Sequence, residues 1–492
     1  MPTLRPIMFV GTASDVGKSV ITAGFCRIFK QDGYQPAPFK AQNMSLNSYA
    51  TPDGLEIGRA QAVQAEAAGI PCHTDMNPVL LKPTTDKSSQ VILNGKPVGT
   101  QSAYEYFMAN DRNELFTSVK QAFDRLASRY SPVVMEGAGS ISELNLKHRD
   151  ITNLRMAAHA GAATYLIGDI DRGGLFGSVY GTIALLTPDE RACIKGIIVN
   201  KFRGDARLFE DGKRMLEELT GLPVVGILPY FRDIFIEQED SVSLEAKFRS
   251  AVVGKVNVAV ILLKRLSNFT DFDQLERDPR VNLFYTNQPD EIEKADIVIL
   301  PGSKNTIEDL LAIKNSGVAQ AIYTGYKKGK TVIGICGGYQ MLGETIEDPD
   351  HLEGTIEAIP GLGLLPVQTI LQPIKTTEQR QFTYRETLAS CMGYEIHMGE
   401  TTTSGESRPV THLSDGRPEG YFLNRKCWGT YLHGILDNAV VIDDLLADYT
   451  AESGGQALDF RQFKEQQYDR LADVIRAHVD MDQIYASLQL DY

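Results

Sequence analysis

Short apolar runs alternate with amphipathic segments along most of the chain, and this alternation restricts the folds that the sequence can adopt. In the first half, such runs lie at residues 7–10, 132–135, 164–167, 196–199 and 224–228. Runs of this length suit strands that are buried on both faces, and the amphipathic segments suit helices that cover those faces. The first half is therefore predicted to be an α/β domain with a parallel sheet.

The second half repeats this pattern without repeating the sequence. Strands are predicted at residues 256–263, 297–300 and 331–335, followed by a more β-rich stretch at 363–432. Between residues 231 and 255 the apolar periodicity fades and charges accumulate, which favours a domain boundary there. A chain of 492 residues is also longer than a single hydrophobic core usually supports. We predict two doubly wound α/β domains: residues 1–235, a linker at 236–254, a second domain at 255–445 and a helical tail at 446–492.

The composition is that of a soluble globular protein, with 43% hydrophobic and 23% charged residues. A formal net charge of -14 disfavours nucleic acid as a partner, because phosphate backbones need a concentrated basic face. The longest apolar run is too short to cross a bilayer, and the N-terminus lacks a secretory signal. The six cysteines lack the spacing of a disulfide framework or a zinc site. We expect a cytoplasmic protein with a small-molecule substrate and no membrane partner.

Residues 11–19 (Gly-Thr-Ala-Ser-Asp-Val-Gly-Lys-Ser) join the first predicted strand to an amphipathic helix. In this context backbone N–H groups face a phosphate, Lys18 reaches the β- and γ-phosphates, and Ser19 can hold Mg²⁺. Five residues rather than four separate the flanking glycines, which puts Thr12 where the first loop glycine is expected. The alternative is a glycine-rich turn that happens to carry Lys-Ser. The predicted nucleotide-binding residues of this loop are Thr12, Gly17, Lys18 and Ser19.

Further candidates follow the carboxyl ends of predicted strands, where open parallel sheets bind ligands. Glu136 is a candidate second metal partner beside Ser19, or alternatively caps the next element. Asn200 is a candidate to read the adenine edge, or is a turn residue. Charged residues cluster after these strand ends and favour an anionic substrate, although such clusters are more often solvated surface. Within this cluster, Lys40 is a candidate substrate-site residue, and Asp150 is a candidate substrate-site or metal-site residue.

Residues 334–338 (Gly-Ile-Cys-Gly-Gly) lie between a predicted strand and a predicted helix, the arrangement of a nucleophile elbow. There the helix dipole favours the thiolate of Cys336. A buried cysteine is usually inert, but packing alone does not require glycines on both sides of it. The general base should be a histidine: His433 follows a short β stretch, and His397 is a competitor. Backbone N–H groups at Gly302 and Gly337 are predicted to form the oxyanion hole.

These motifs resemble two known families. Residues 334–343 (Gly-Ile-Cys-Gly-Gly-Tyr-Gln-Met-Leu-Gly) with 431–434 (Tyr-Leu-His-Gly) resemble class I glutamine amidotransferase domains. Residues 11–19 with 136–139 (Glu-Gly-Ala-Gly) resemble dethiobiotin synthetase-like ATPases. Their fusion in this order is similar to the cobyric acid synthase family of cobalamin biosynthesis. Further segments similar to that family lie at 40–48, 169–174, 200–205, 267–273 and 393–399.

The resemblance implies an ATP-dependent glutamine amidotransferase, a carbon–nitrogen ligase that uses ATP, Mg²⁺ and L-glutamine as nitrogen donor. It also implies a P-loop fold for the first domain and a flavodoxin-like class I glutaminase fold for the second. The implied substrate is a corrinoid, adenosyl-cobyrinic acid a,c-diamide, whose b, d, e and g carboxylates are amidated to give adenosyl-cobyric acid. Cys336 is then the nucleophile and His433 its base.

One position departs from ordinary class I amidotransferases, which carry a glutamate two residues after the histidine. Ile435 stands there, so the sequence leaves open which group orients His433. Two alternatives remain: amidation of other corrinoid carboxylates, as in the related a,c-diamide synthases, and a non-catalytic P-loop switch. The presence of both Cys336 and His433 disfavours the switch.

Overall fold

The structure of the protein is a computed structural model that describes residues 3–84, 88–102, 112–231, 233–239, 250–450 and 459–490. We call the described residues up to 239 the N-terminal unit and residues 250–450 the C-terminal unit. Each unit is built on its own parallel sheet, so the predicted fold class is confirmed. Among the described helices, none is both long and apolar enough to cross a membrane.

The main sheet of the N-terminal unit is six-stranded and parallel, because its strands are apolar on both faces. The strands of this unit are β1 (Ile7–Gly11), β2 (Ala37–Phe39), β3 (Gln42–Met44), β4 (Ser48–Ala50), β5 (Glu56–Gly58), β6 (Val79–Pro83), β7 (Ser88–Leu93), β8 (Lys96–Ser102), β9 (Val133–Glu136), β10 (Ala163–Asp169), β11 (Ile194–Phe202) and β12 (Val224–Pro229). The order of the main sheet is β12-β11-β10-β1-β9-β2. Strands β3, β6, β7 and β8 form a smaller sheet, and β4 pairs with β5.

Helices connect these strands and cover the sheet. They are α1 (Lys18–Gln31), α2 (Arg59–Ala68), α3 (Arg112–Ala127), α4 (Leu154–Ala160), α5 (Leu175–Ala184), α6 (Pro188–Cys193) and α7 (Glu210–Thr220). Helix α6 begins with a capping box, in which Thr187 and Glu190 satisfy each other's backbone N–H groups. Helix α1 follows the phosphate loop directly, so the loop lies at a helix N-terminus at the carboxyl edge of the sheet.

The C-terminal unit has a six-stranded sheet of order β14-β13-β15-β16-β24-β23, parallel except for β23, and a second sheet built on the long β19–β20 hairpin. Its strands are β13 (Val256–Ile261), β14 (Val281–Thr286), β15 (Ile297–Leu300), β16 (Thr331–Ile335), β17 (Thr345–Glu347), β18 (Ala358–Pro360), β19 (Val367–Tyr384), β20 (Ser390–Thr403), β21 (Thr411–Leu413), β22 (Pro418–Glu419), β23 (Tyr421–Asn424) and β24 (Cys427–Thr430). Its helices are α8 (Asp273–Arg277), α9 (Pro289–Ile292), α10 (Thr306–Asn315), α11 (Val318–Lys327), α12 (Gly337–Leu342) and α13 (Ala439–Leu446).

The last two helices, α14 (Phe460–His478) and α15 (Met481–Leu488), return to the N-terminal unit and complete its core. Leu471 and Ile475 of α14 pack on α1. A Cβ at Gly24 would lie 2.2 Å from Ile475 Cδ1, so the glycine permits this close approach. Arg27 of α1 is also bonded to Asp469, at 2.7 Å. The sequence alone does not predict that the tail joins the first domain rather than the second.

The segment that joins the two units begins inside the N-terminal unit. Arg59 Nη2 donates to Glu237 Oε1 at 2.9 Å, and Lys40 Nζ donates to Glu239 Oε1 at 2.7 Å. Residues 240–249 of the predicted linker, and 451–458 of the predicted tail, lie outside the described residues. The first residues of the predicted linker therefore belong to the packing of the N-terminal unit.

The β4–β5 hairpin connects the two units directly. Ser48 N donates to Asn268 Oδ1 at 3.1 Å, and Gln379 Nε2 donates to Ala50 O at 2.9 Å. Between these bonds, the rings of Tyr49 and Tyr394 meet edge to face with centroids 4.6 Å apart. The hairpin therefore brings the N-terminal unit against the part of the C-terminal unit that carries Cys336 and His433.

Candidate active sites

Cys336 lies at a sharp turn between β16 and α12. Its backbone has φ 53° and ψ -111°, a conformation that residues other than glycine rarely adopt and that is typical of nucleophile elbows. A Cβ at Gly338 would lie 2.0 Å from Leu300 O, and a Cβ at Gly334 would lie 2.6 Å from the Gly338 carbonyl carbon. The turn is therefore too tight for a side chain at either glycine, which gives a structural reason for the sequence pattern.

His433 lines the same cavity as Cys336, whose Sγ lies 3.6 Å from Ile396 O, and the ring of His433 is held by Asp271. The distance from His433 Nδ1 to Asp271 Oδ2 is 2.7 Å, and Gly434 N donates to Asp271 Oδ1 at 3.0 Å. An ionised carboxylate only accepts hydrogen bonds, so Nδ1 carries a proton and Nε2 is left for chemistry in the cavity. The ring of Tyr394 stacks on His433 with centroids 5.3 Å apart.

The protonation of His433 is controlled by this environment. Burial lowers the pKa of His433, but the negative charges of Asp271 and Cys336 outweigh burial and raise it to about 10. The imidazolium form is therefore favoured at neutral pH. It can stabilise a thiolate and later supply a proton to a leaving group.

Ile435 stands at the usual glutamate position, so the sequence leaves open which group orients His433. In the structure the carboxylate bonded to this histidine is that of Asp271. This residue lies in the turn after β13, within residues 267–273, a segment that the sequence marks as similar to the cobyric acid synthase family without giving it a role. Asp271 is only 2% exposed, and Ile435 is buried in the core. The orienting carboxylate thus comes from a different loop of the same unit.

The competitor His397 has other contacts. Its Nδ1 lies 2.8 Å from Gly399 O, and its ring stacks on Tyr431 with centroids 3.8 Å apart. Its Nε2 lies 3.6 Å from Glu395 Oε1. His397 lines the same cavity as Cys336, but these contacts do not aim it at the thiol.

The two predicted oxyanion-hole glycines lie beside the elbow. A Cβ at Gly337 would lie 2.9 Å from Ser303 N, so the elbow and the loop after β15 are in close contact. A Cβ at Gly302 would lie 3.2 Å from His433 Cε1, which places this loop against the histidine as well. The structure therefore brings Gly302, Gly337 and Cys336 together, as an oxyanion hole requires.

The cavity beside Cys336 is narrow and reaches the N-terminal unit. His433, Gly337 and Gln340 line it together with lysines of both units: Lys82 from the N-terminal unit and Lys304 and Lys375 from the C-terminal unit. Residues of both units therefore line this cavity.

The phosphate loop carries Lys18 at the start of α1. Lys18 Nζ donates to Ala13 O at 2.9 Å and to Gly139 O at 3.0 Å, so its ammonium group spans the mouth of the loop. Burial lowers the pKa of Lys18 more than the nearby Glu136 raises it. Gly17 has φ 99°, which requires glycine, and Thr12 N is bonded to Ile167 O at 3.1 Å. All four predicted residues of the loop lie at the carboxyl edge of the sheet.

Ser19 lies in a group of charged side chains below this loop. Its Oγ lies 2.8 Å from Glu136 Oε1 and 2.9 Å from Glu239 Oε2, and its one hydroxyl proton can be donated to either. Lys40 Nζ bridges the same two carboxylates, at 2.9 and 2.7 Å. Burial lowers the pKa of Lys40, but the two glutamates outweigh it and raise the pKa above its usual value. A hydroxyl and two carboxylates fit Mg²⁺, which prefers oxygen ligands.

Glu239 is the residue of this group that sequence reasoning missed. It lies within the stretch of fading periodicity that the sequence predicts to be the linker, and it is 220 positions from Ser19 along the chain. The remaining predicted partner, Glu136, is also bonded to Gln64 Nε2, at 2.7 Å. Within the described residues there is no group of three or more His, Cys, Asp or Glu side chains arranged for a metal ion.

Asn200 and Asp150 have local bonding partners. Asn200 Nδ2 donates to Val16 O at 2.7 Å and thereby supports the phosphate loop, while its Oδ1 is buried and has no hydrogen-bond partner among the described residues. That oxygen can accept a bond from an amino group such as that of adenine. Asp150 Oδ1 accepts bonds from Thr152 N at 2.7 Å and Asn153 N at 3.2 Å, at the turn before α4.

Comparison with known proteins covers almost the whole chain. Residues 7–243 match the family described as the CobQ/CobB/MinD/ParA nucleotide binding domain, and residues 257–441 match the CobB/CobQ-like glutamine amidotransferase domain. A cobyric acid synthase of Parabacteroides distasonis is 63% identical, over 99% of each chain. One of Bacteroides fragilis is 62% identical over 99% of this chain and 98% of the relative, and one of Syntrophobacter fumaroxidans is 48% identical over 98% of each.

Proposed function

The chain belongs to the cobyric acid synthase family, and we propose that it amidates the b, d, e and g carboxylates of adenosyl-cobyrinic acid a,c-diamide with ammonia from glutamine. It is a glutamine amidotransferase of the ligase class, and its place is in cobalamin biosynthesis. The observation that carries the proposal is the set of Cys336, His433 and Asp271 in one unit, facing a cavity that the unit with the phosphate loop also lines.

In the glutaminase reaction, the Cys336 sulfur attacks the side-chain amide carbon of glutamine. The negative charge that develops on the amide oxygen is stabilised by backbone N–H groups at Gly337 and in the loop of Gly302. His433 passes a proton from Nε2 to the departing nitrogen, so that ammonia leaves and a thioester remains. Asp271 holds the Nδ1 proton throughout. Water then hydrolyses the thioester and releases glutamate.

In the ligase reaction, a corrinoid carboxylate must first be activated, because its oxygen is a poor leaving group. Transfer of the γ-phosphoryl group of ATP to the carboxylate gives an acyl phosphate, and ammonia then displaces phosphate to form the amide. Lys18 and the N–H groups of the loop bind the phosphates, and Asn200 Oδ1 is available to the adenine. Ser19, Glu136 and Glu239 would hold Mg²⁺, which would neutralise charge on the phosphoryl group.

Lys40 has a structural task in this scheme. Its ammonium group lies between Glu136 and Glu239, and the three side chains form a buried charged group beneath the loop. Entry of a divalent cation between these carboxylates would place it near the lysine, so the ammonium must move toward the phosphates or the substrate. Lys40 and Asp150 remain our candidates for the corrinoid side of the site.

Ammonia must reach the N-terminal unit unprotonated, since ammonium is not a nucleophile. The cavity at Cys336 extends to Lys82 of the N-terminal unit, which supports transfer inside the protein rather than through bulk water. An ammonia-consuming enzyme added to the assay tests this route. We expect glutamine-dependent amidation to continue undiminished while amidation from added ammonium is suppressed, and equal suppression of both would refute the enclosed route.

Product analysis tests the corrinoid assignment. The purified protein is incubated with ATP, Mg²⁺ and glutamine, and either adenosyl-cobyrinic acid or its a,c-diamide, and the products are resolved by mass spectrometry. We expect four successive amidations of the a,c-diamide. Amidation of cobyrinic acid that stops at the a,c-diamide would instead identify an a,c-diamide synthase, and ATP turnover without any amide product would favour a P-loop switch.

A further inference from the structure

Two of the three lysines that line the cavity at Cys336 share one carboxylate as their ion-pair partner. Lys82 Nζ lies 2.7 Å from Glu56 Oε1, and Lys375 contacts the other oxygen of the same carboxylate. Glu56 is fully buried, and the two ammonium groups hold its pKa well below the usual range against the effect of burial. Each of these two lysines is therefore bonded to an anion, although the two share it.

Lys304 differs from them. In the part of the chain that the structure describes, its ammonium group forms no hydrogen bond or ion pair. Glu353 is near enough to influence it, but the Glu353 carboxylate accepts bonds from Thr306 N at 2.6 Å and Ile307 N at 3.1 Å, at the N-terminus of α10. Glu353 is therefore engaged as a helix cap. Lys304 therefore lines the cavity without a bonded anion among the described residues.

The position of Lys304 is fixed by the loop that carries Gly302. Ser267 N donates to Gly302 O at 2.9 Å, and Lys304 N donates to Arg265 O at 2.9 Å. Between them, Ser303 Oγ donates to Asp309 Oδ2 at 2.6 Å. The loop is thus held at both ends and in the middle. Its lysine lies in the same cavity as the thiol, two residues after a glycine of the proposed oxyanion hole.

We propose that Lys304 binds the α-carboxylate of glutamine and selects donors that carry a free α-carboxylate. This inference rests on the proposed glutaminase function. In glutamine, three carbon atoms separate the reacting amide carbon from the α-carboxylate, a reach of roughly 5–6 Å at ordinary bond lengths. A cation in the same narrow cavity as the nucleophile can therefore contact the carboxylate while the amide reaches the sulfur. Where bulk water is excluded, the attraction between the lysine ammonium group and the carboxylate is stronger.

The test compares Lys304→Met with the unaltered protein on two donors, L-glutamine and L-glutaminamide, whose α-carboxylate is replaced by an amide. We expect kcat/KM for glutamine to fall about 30- to 1000-fold in the variant, as for loss of one partner of a desolvated charge pair. We expect kcat/KM for glutaminamide to change less than threefold. The preference for glutamine over glutaminamide should therefore nearly disappear, and Lys304→Arg should restore part of it.

Lys375→Met is the matched control, because this lysine lines the same cavity but already pairs with Glu56. It should retain the preference for glutamine over glutaminamide. Equal losses with both donors in Lys304→Met, or a lost preference in Lys375→Met alone, would overturn the assignment. Amidation with ammonium reports whether each variant is folded. Absence of glutaminase activity in the unaltered protein would refute the proposed function itself, which keeps the two failures distinct.

Discussion

Replacement of Asp271 by asparagine removes one negative charge beside His433 and leaves the side-chain volume almost unchanged. In the structure the carboxylate accepts from His433 Nδ1 at 2.7 Å and from Gly434 N at 3.0 Å. Both Asp271 and His433 are almost completely buried, so water screens their interaction little. The variant therefore isolates the electrostatic contribution of this carboxylate.

The magnitude follows from Coulomb's law. For the 2.7 Å contact, with charge centres about 5 Å apart and an effective dielectric constant of about 20, the interaction is about 3 kcal/mol, or roughly two pKa units. The pKa of His433 is raised to about 10, so loss of Asp271 should lower it. A shift of that size leaves His433 protonated at neutral pH, but asparagine no longer holds the imidazolium in place for the thiolate and for protonation of the leaving ammonia. We expect kcat with glutamine to fall about 10²- to 10⁴-fold.

The assay is glutamate release from glutamine between pH 6 and 11, measured for Asp271→Asn and the unaltered protein. The alkaline limb of the kcat/KM profile should move to lower pH by roughly two units. Asp273→Asn, which alters a buried carboxylate two residues later at the start of α8, is the control and should leave the limb in place. An unshifted limb in Asp271→Asn, with kcat reduced less than threefold, would refute the role of Asp271.

Three further variants probe other parts of the structure. Lys18→Ala should abolish amidation from glutamine and from ammonium alike, in an assay of corrinoid products. Gly338→Ala puts a Cβ 2.0 Å from Leu300 O, so glutaminase activity should be lost and thermal unfolding should shift to lower temperature. Leu471→Ala should lower the free energy of unfolding by about 2–5 kcal/mol in denaturant titrations, and the exposed Leu490→Ala by less than about 0.5 kcal/mol. Unchanged amidation in Lys18→Ala, unchanged glutaminase activity in Gly338→Ala, or an unchanged free energy of unfolding in Leu471→Ala would contradict the role or packing described for that residue.

The pH dependence of stability follows from the same histidine. The folded-state pKa of His433, about 10, lies above the ordinary value of 6.5. The ion pair with Asp271 therefore stabilises the fold fully below about pH 6.5, and this contribution is lost as the pH rises through about 10. Denaturant titrations of the unaltered protein should show that decline, and in Asp271→Asn the decline should be smaller and should end at a lower pH.

The sequence predicts those parts of the structure that depend on local patterns. The runs at 7–10 and 331–335 became β1 and β16 because continuous apolar runs suit strands buried on both faces. The elbow and the phosphate loop could be located from the sequence because both are local motifs with fixed spacing. Their glycines are required for steric reasons, and the lysine of the loop is required for electrostatic reasons.

The missed residues depend on contacts between distant segments. Asp271 lies 162 positions before His433, and Glu239 lies 220 positions after Ser19. No local pattern specifies such a pairing, because it depends on how loops meet at a sheet edge. Helix α14 illustrates the same limit for the core: its periodicity predicts a buried face, but not that the face packs on α1 of the first domain.

The central claim is that the thiol of Cys336 supplies nitrogen that a separate ATP-dependent site consumes. The most direct measurement is corrinoid amidation by Cys336→Ala with glutamine and, separately, with ammonium, beside Cys391→Ala as a control for loss of a buried cysteine. We predict that Cys336→Ala loses activity with glutamine, keeps activity with ammonium, and still hydrolyses ATP during that reaction. Equal loss of both activities in a folded protein, or full activity with glutamine, would contradict this division of work.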